Sequence, residues 1–174
     1  VVRLVGSEMC IRDRSPGDSI FFNKGDSFYG ELVVNGSGTE SEPIVFTSYD
    51  SGDKPIISGK VGSSGGGDYQ QAIYILNHDN MVFENLEVQN NRQAPRTNVD
   101  NTDSFGIQIH NNSDEILNNF VFKNMTFRNV YAIAQVDPSD QQAFNQFEVA
   151  AIRIFTDWNK AVSYTHLRAH ETDY

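Results

Sequence analysis

Asn80-Met-Val-Phe-Glu-Asn-Leu-Glu-Val-Gln-Asn90 returns as Asn119-Phe-Val-Phe-Lys-Asn-Met-Thr-Phe-Arg-Asn129, an offset of 39 residues. Identical residues recur at Asn80/Asn119, Val82/Val121, Phe83/Phe122, Asn85/Asn124 and Asn90/Asn129. Apolar character also recurs at Met81/Phe120, Leu86/Met125 and Val88/Phe127. A short run precedes each copy, Ala72-Ile-Tyr-Ile75 and Gly106-Ile-Gln-Ile109, and a third, Ala151-Ile-Arg-Ile154, follows the second copy. Offsets of roughly 20–50 residues mark a solenoid, in which each unit buries its apolar face against its neighbours.

The units read as strands. Ile73 and Ile75 alternate with Ala72, Tyr74 and Leu76, and Leu86 and Val88 alternate with Glu87 and Gln89, a period of two. Val, Ile, Phe and Tyr suit a pleated surface. Asn punctuates each run, and Asn tolerates the left-handed backbone of a tight corner. Each repeat is therefore strand, corner, strand, corner, strand, with copies pairing in parallel about 4.8 Å apart. Upstream, Ser19-Ile-Phe-Phe22, Glu31-Leu-Val-Val34, Pro43 to Tyr49 and Pro55-Ile-Ile-Ser-Gly59 read as earlier strands, and Gly25 to Gly30 as a turn.

With 174 residues, 39% hydrophobic and 11% aromatic, the chain has apolar material for one continuous core. Thirteen basic residues against 23 acidic ones give a formal net charge of −10, which argues against nucleic acid and anionic membrane surfaces as partners. No apolar run approaches the roughly 20 residues of a membrane span.

The two ends carry neither alternation nor repeat. Residues 1–14 (VVRLVGSEMCIRDR) and 161–174 (AVSYTHLRAHETDY) resemble translated sequencing-adapter read-through, in the strings SEMCIRD and VSYTHLRAHET. The expected division is an artefact at 1–14, a solenoid domain at 15–160 and an artefact at 161–174, the solenoid being truncated to its N-terminal coils. Cys10 and the His166/His170 pair fall in the excluded ends.

The run PGDSIFF…GDSFYGELVV…SGTESEPIVFTSYDSGDKPIISG, residues 16–59, resembles the first coils of the right-handed parallel β-helix, pectate-lyase-like superfamily. Within it the likeness is to bacterial polysaccharide lyases of the alginate lyase and chondroitinase B type. The resemblance implies an all-β, right-handed parallel β-helix. It also implies a secreted or cell-surface bacterial protein, monomeric when full length, acting as lyase or glycosidase on an acidic polysaccharide. A non-catalytic β-helix adhesin or scaffold that binds glycan or protein is the alternative.

Period two places Ile73/Ile75, Ile107/Ile109 and Ile152/Ile154 in the core. It places Tyr74, Gln108 and Arg153 outward in one column, with Leu76, His110 and Phe155 in a second. An extended sugar chain fits along such a face. Tyr74 is suited to stacking on a sugar ring, Gln108 to hydrogen bonding, Arg153 to a carboxylate and His110 to proton transfer. The resembling lyases neutralise a uronate carboxylate and remove the neighbouring proton with a basic residue, which makes Arg153 and His110 the catalytic candidates. Each has a plainer reading: a solvated Arg153 pairing with Asp157, and a His110 bonded to an Asn-rich turn. Two excursions, Asn91 to Phe105 and Ala134 to Glu148, leave the repeat on the same side and are expected to wall this face. No cofactor is expected. Calcium is the one ion considered, through Asp100, Asp103, Asp137 and Asp140, although acidic loops are ordinarily just solvated. Asn85 and Asn124 are expected to stack as an amide ladder. The last coil, around Ile152, is expected to fray for want of a covering neighbour.

Overall fold

The computed structural model describes residues 2–4, 14–60, 69–96, 103–134, 148–157, 160 and 164–170. Strand β1 (Val2–Leu4) leads. A first coil is β2 (Ser19–Asn23), β3 (Ser27–Tyr29) and β4 (Leu32–Val34); a second is β5 (Ile44–Tyr49), β6 (Ile56–Ser58) and β7 (Gln71–Leu76). A third is β8 (Met81–Glu84), β9 (Glu87–Arg96) and β10 (Ser104–Asn111); a fourth is β11 (Leu117–Lys123), β12 (Thr126–Ala134) and β13 (Val149–Thr156), followed by β14 (Tyr164–His170). The described residues form no helix.

Equivalent strands of successive coils stack into three sheets, β1-β2-β5-β8-β11-β14, β4-β7-β10-β13 and β3-β6-β9-β12. Every pairing is parallel. This is the arrangement expected of a β-helix solenoid, and the registers follow the sequence repeat. Met81, Val82 and Phe83 lie against Phe120, Val121 and Phe122. Ile73, Tyr74, Ile75 and Leu76 lie against Ile107 to His110, which lie in turn against Ile152 to Phe155. Leu32, Val33 and Val34 extend the same columns by one coil.

The core is a column of fully buried side chains, among them Phe22, Phe28, Phe46, Ile57, Ile75, Phe83, Val88 and Ile109. Phe46 and Phe83 stack at 4.7 Å and 8°, and Phe83 and Phe122 at 5.7 Å and 15°. Burying each ring removes apolar surface worth about 1.5–3 kcal/mol, the main force holding coil to coil. The corners are made by Asn in the left-handed region, with φ of 56° at Asn80, 59° at Asn85, 55° at Asn119 and 48° at Asn124. Their amides pair coil to coil: Asn124 Nδ2 donates to Asn85 Oδ1 and Asn119 Nδ2 to Asn80 Oδ1, both at 2.8 Å. The expected ladder is present, and a second accompanies it.

Several details depart from the sequence reading. Ser27–Tyr29, read as part of a turn, is a strand, because Phe28 is needed to fill the core of the first coil. Ala72 packs in the core beside Ile73, so alternation breaks between them. Gly106 holds the register position next to Ala72, and an added Cβ there would come within 3.0 Å of the Phe127 ring. Asn90 and Asn129 match in sequence but not in space. Asn90 lies against Val130 after a register shift, while Asn129 takes φ of 56° in the irregularity. Ile152 packs only at the margin of the core, and Ile154 is 37% exposed where Ile109 beneath it is 0% exposed. The backbone at both ends, read as lacking strand character, runs along the solenoid: Val2–Leu4 beside β2 and Tyr164–His170 beside β11. Open strand edges are templates for such pairing. Cys10 lies outside the described residues.

Candidate functional site on the β4-β7-β10-β13 face

The outward side of this sheet gathers the titratable side chains. Tyr74, Gln108 and Arg153 sit side by side on adjacent strands, and Leu76, His110 and Phe155 form the next row. The break in alternation before Ile73 adds a further row, Gln71, Phe105 and Ala150.

His110 joins two of its neighbours. Its Nδ1 lies 3.0 Å from Tyr74 Oη and its Nε2 lies 3.0 Å from Asp157 Oδ1. An ionised carboxylate only accepts, so Nε2 carries the proton in the neutral ring and donates it to Asp157. Nδ1 is then the acceptor, and the Tyr74 hydroxyl donates to it. The result is a directed chain from Tyr74 through His110 to Asp157. Burial pushes the Tyr74 hydroxyl pKa up, and the nearby charges of Glu31 and Asp157 push it the same way. Tyr74 therefore holds its proton and stays a donor. The Phe155 ring, centred 5.0 Å from the imidazole, supports it from the next coil.

Glu31, just ahead of β4, is half-buried. Burial raises its carboxyl pKa, opposed by a hydrogen bond from Gln71 Nε2. Along the row, Arg153 Nε bonds Glu148 Oε2 at 2.9 Å, and its guanidinium lies 4.7 Å from the centre of the Phe105 ring and 4.4 Å from that of Phe155. The expected partner of Arg153, Asp157, is instead the partner of His110. Burial also raises the Asp103 pKa, although the Glu148 backbone N–H at 2.9 Å and the Arg153 charge pull it back. Gln70 Nε2 donates to Asp103 Oδ2 at 3.0 Å, and buried Arg92 bonds the Asp103 carbonyl.

Tyr74, Gln108, His110 and Arg153 thus lie on one face. Tyr74 and His110 are bonded directly, and Arg153 and His110 meet through Phe155. The two excursions leave and return next to each other, with Ala134 beside Arg96 and Val149 beside Ser104. Their middles, 97–102 and 135–147, lie outside the described residues, as do Asp100, Asp137 and Asp140. Among the described residues there is no group of three or more His, Cys, Asp or Glu side chains placed to hold a metal ion, and no helix long and apolar enough to cross a membrane. Sequence reasoning missed Glu31, Phe105 and Gln71, and gave Asp157 to Arg153 rather than to His110. Glu31 had a signal, since it precedes the Leu32-Val33-Val34 run that aligns with Ile73-Tyr74-Ile75. Gln71 and Phe105 were hidden by the break in alternation.

The chain is similar in fold to two crystal structures of the GH136 lacto-N-biosidase from Eubacterium ramulus, one native and one a selenomethionine derivative. For each, the TM-score is 0.57 and the identity 20%, over 70% of this chain and 23% of that enzyme. It thus spans about a quarter of the length of that protein. The alginate lyase of a Paenibacillus strain matches at a TM-score of 0.39 and 18% identity, over 80% of this chain and 52% of the lyase. No protein-family model and no curated protein sequence matches.

Proposed function

We propose that this chain is a segment of a secreted or cell-surface, carbohydrate-active protein built as a right-handed parallel β-helix. Its β4-β7-β10-β13 face binds a polysaccharide and hydrolyses it. The observation that carries this reading is the Tyr74–His110–Asp157 chain. Glycoside hydrolysis requires a proton donor and a carboxylate at the same bond. His110, bonded to both Tyr74 and Asp157, is the group that passes a proton to the departing oxygen. Asp157, held by the His110 N–H, is the carboxylate that attacks or activates water. The likeness in fold to a lacto-N-biosidase supports the glycan reading.

A second reading, lyase action with His110 as base and Arg153 on a uronate carboxylate, draws on the place of Arg153 beside Gln108. It is weakened because Glu148 already occupies the guanidinium. Incubation with neutral and acidic polysaccharides separates the two, scoring new reducing ends and the ultraviolet absorbance of unsaturated uronates independently. Hydrolysis gives the first signal alone, lost in Asp157→Asn. Elimination gives both. Binding with neither signal supports the adhesin alternative.

A further inference from the structure

Gln108 sits at the centre of the face, between Tyr74 on one strand and Arg153 on the next. It is only 6% exposed, and its side-chain carbonyl oxygen, buried from water, has no hydrogen-bond partner. The same is true of the side-chain oxygen of Gln71, whose nitrogen is held by Glu31. A buried acceptor left unpaired weakens the fold by the cost of stripping it of water, so folds seldom keep one without a use. Two such oxygens on one outward face mark a place where something else supplies the donors.

The charges around them restrict what that is. Glu31, Asp103, Glu148 and Asp157 all lie on or beside this face, and Arg153 is committed to Glu148 at 2.9 Å. A substrate carboxylate would bring negative oxygens against orphaned carbonyl oxygens and four acidic side chains. A sugar hydroxyl or amide N–H brings the missing donor and no charge.

We infer that Gln108 is the specificity-determining residue of this face: when a sugar binds, the Gln108 side chain turns outward, its oxygen accepts a hydrogen bond from a hydroxyl or N–H of that sugar, and it so selects a neutral glycan over a uronate polymer. The inference rests on the glycan reading above and narrows it. It reverses the expectation of an acidic polysaccharide that the lyase resemblance carried.

The test is Gln108→Met, which keeps length and bulk and removes the polar atoms. It is read by thermal unfolding without ligand and by calorimetric titration with cello-, xylo-, manno- and galacto-oligosaccharides, with oligogalacturonate and oligoalginate as acidic counterparts. The expected result is a Tm higher by roughly a few degrees, because an orphaned acceptor is gone. Affinity for a neutral oligosaccharide should fall roughly tenfold or more, since the ligand then leaves its own donor unpaired. A lower Tm overturns the inference, because it means the fold already uses the amide. Equal affinity for acidic and neutral oligosaccharides, or neutral binding unchanged by the substitution, overturns the inference and leaves the glycan reading standing. Wild-type protein that binds neither class overturns both.

Discussion

Two parts of the solenoid obey opposite rules. Along the β5-β8-β11 stack and its corners, like sits on like: Phe46 on Phe83 on Phe122, Asn80 on Asn119, Asn85 on Asn124. Each side chain is satisfied by its own copy one coil away. On the outward side of β7-β10-β13, unlike sits on unlike: Tyr74, Gln108 and Arg153 share one row, and Leu76, His110 and Phe155 the next. There the bonds run diagonally, from Tyr74 to His110 to Asp157, and two carbonyl oxygens find no partner. In a repeat protein, a column that repeats is building the axis. A column that departs from the repeat while remaining polar and half-buried has been given another task.

The strongest way to break the first half of this contrast is Phe83→Ala. It removes the middle ring of the stack and should destabilise the protein by about 3–5 kcal/mol in denaturant unfolding. A loss below about 1 kcal/mol would mean that the stack contributes little. The matching blow to the second half is His110→Ala. It cuts the chain between Tyr74 and Asp157 and should lower glycan cleavage by roughly 10²-fold or more with little change in stability. Equal loss of both activity and stability would make His110 a structural residue.

Smaller effects sharpen the comparison. Asn85→Ala removes a ladder bond and forces alanine into φ of 59°, for a destabilisation of about 2 kcal/mol. Asn85→Gly, which accepts that backbone, should lose less. Glu31→Gln carries the opposite sign. Because burial raises the Glu31 pKa, the folded protein holds this proton more tightly than the unfolded chain does. That contribution to stability is complete below the ordinary glutamate range and is lost as pH rises through the raised value. At neutral pH the buried charge is a burden. Glu31→Gln should relieve it by about a few tenths of a kcal/mol, since the group is half-exposed, and should flatten stability between mildly acid and neutral pH. Unfolding curves across that range would refute the assignment if the variant were less stable at neutral pH.

The repeat made the axis legible. The 39-residue offset placed Phe83 on Phe122, and the recurring Ile-Tyr-Ile and Ile-Gln-Ile runs placed Tyr74 beside Gln108, because parallel stacking preserves register. It failed where backbone irregularity intervened. Asn129 copies Asn90 in sequence, but the shift in β12 moves it out of register. The alternation that located Tyr74 also hid Gln71 and Phe105, because Ala72 and Ile73 both turn inward. The partner of Arg153 was misread because Glu148 arrives from an excursion whose path periodicity does not encode. Glu31 was overlooked, and Asp157 was given the wrong partner, for a related reason: both lie just beyond strand ends, where the period-two pattern stops. Four of the polar residues that define the face were legible as outward columns, Tyr74, Gln108 and Arg153 in one and His110 in the next. The hydrogen bonds that make it a candidate for chemistry were not.

The most direct test of the division between axis and face is retardation in native gels cast with xylan, glucomannan or galactan. It compares the wild-type protein with His110→Ala on the face and Arg128→Ala, a substitution of an exposed residue on β12 in another sheet. At least one of these neutral polysaccharides should slow the wild type and Arg128→Ala alike, while His110→Ala runs free. Retardation that survives His110→Ala and disappears with Arg128→Ala would place binding on the wrong sheet and contradict the account.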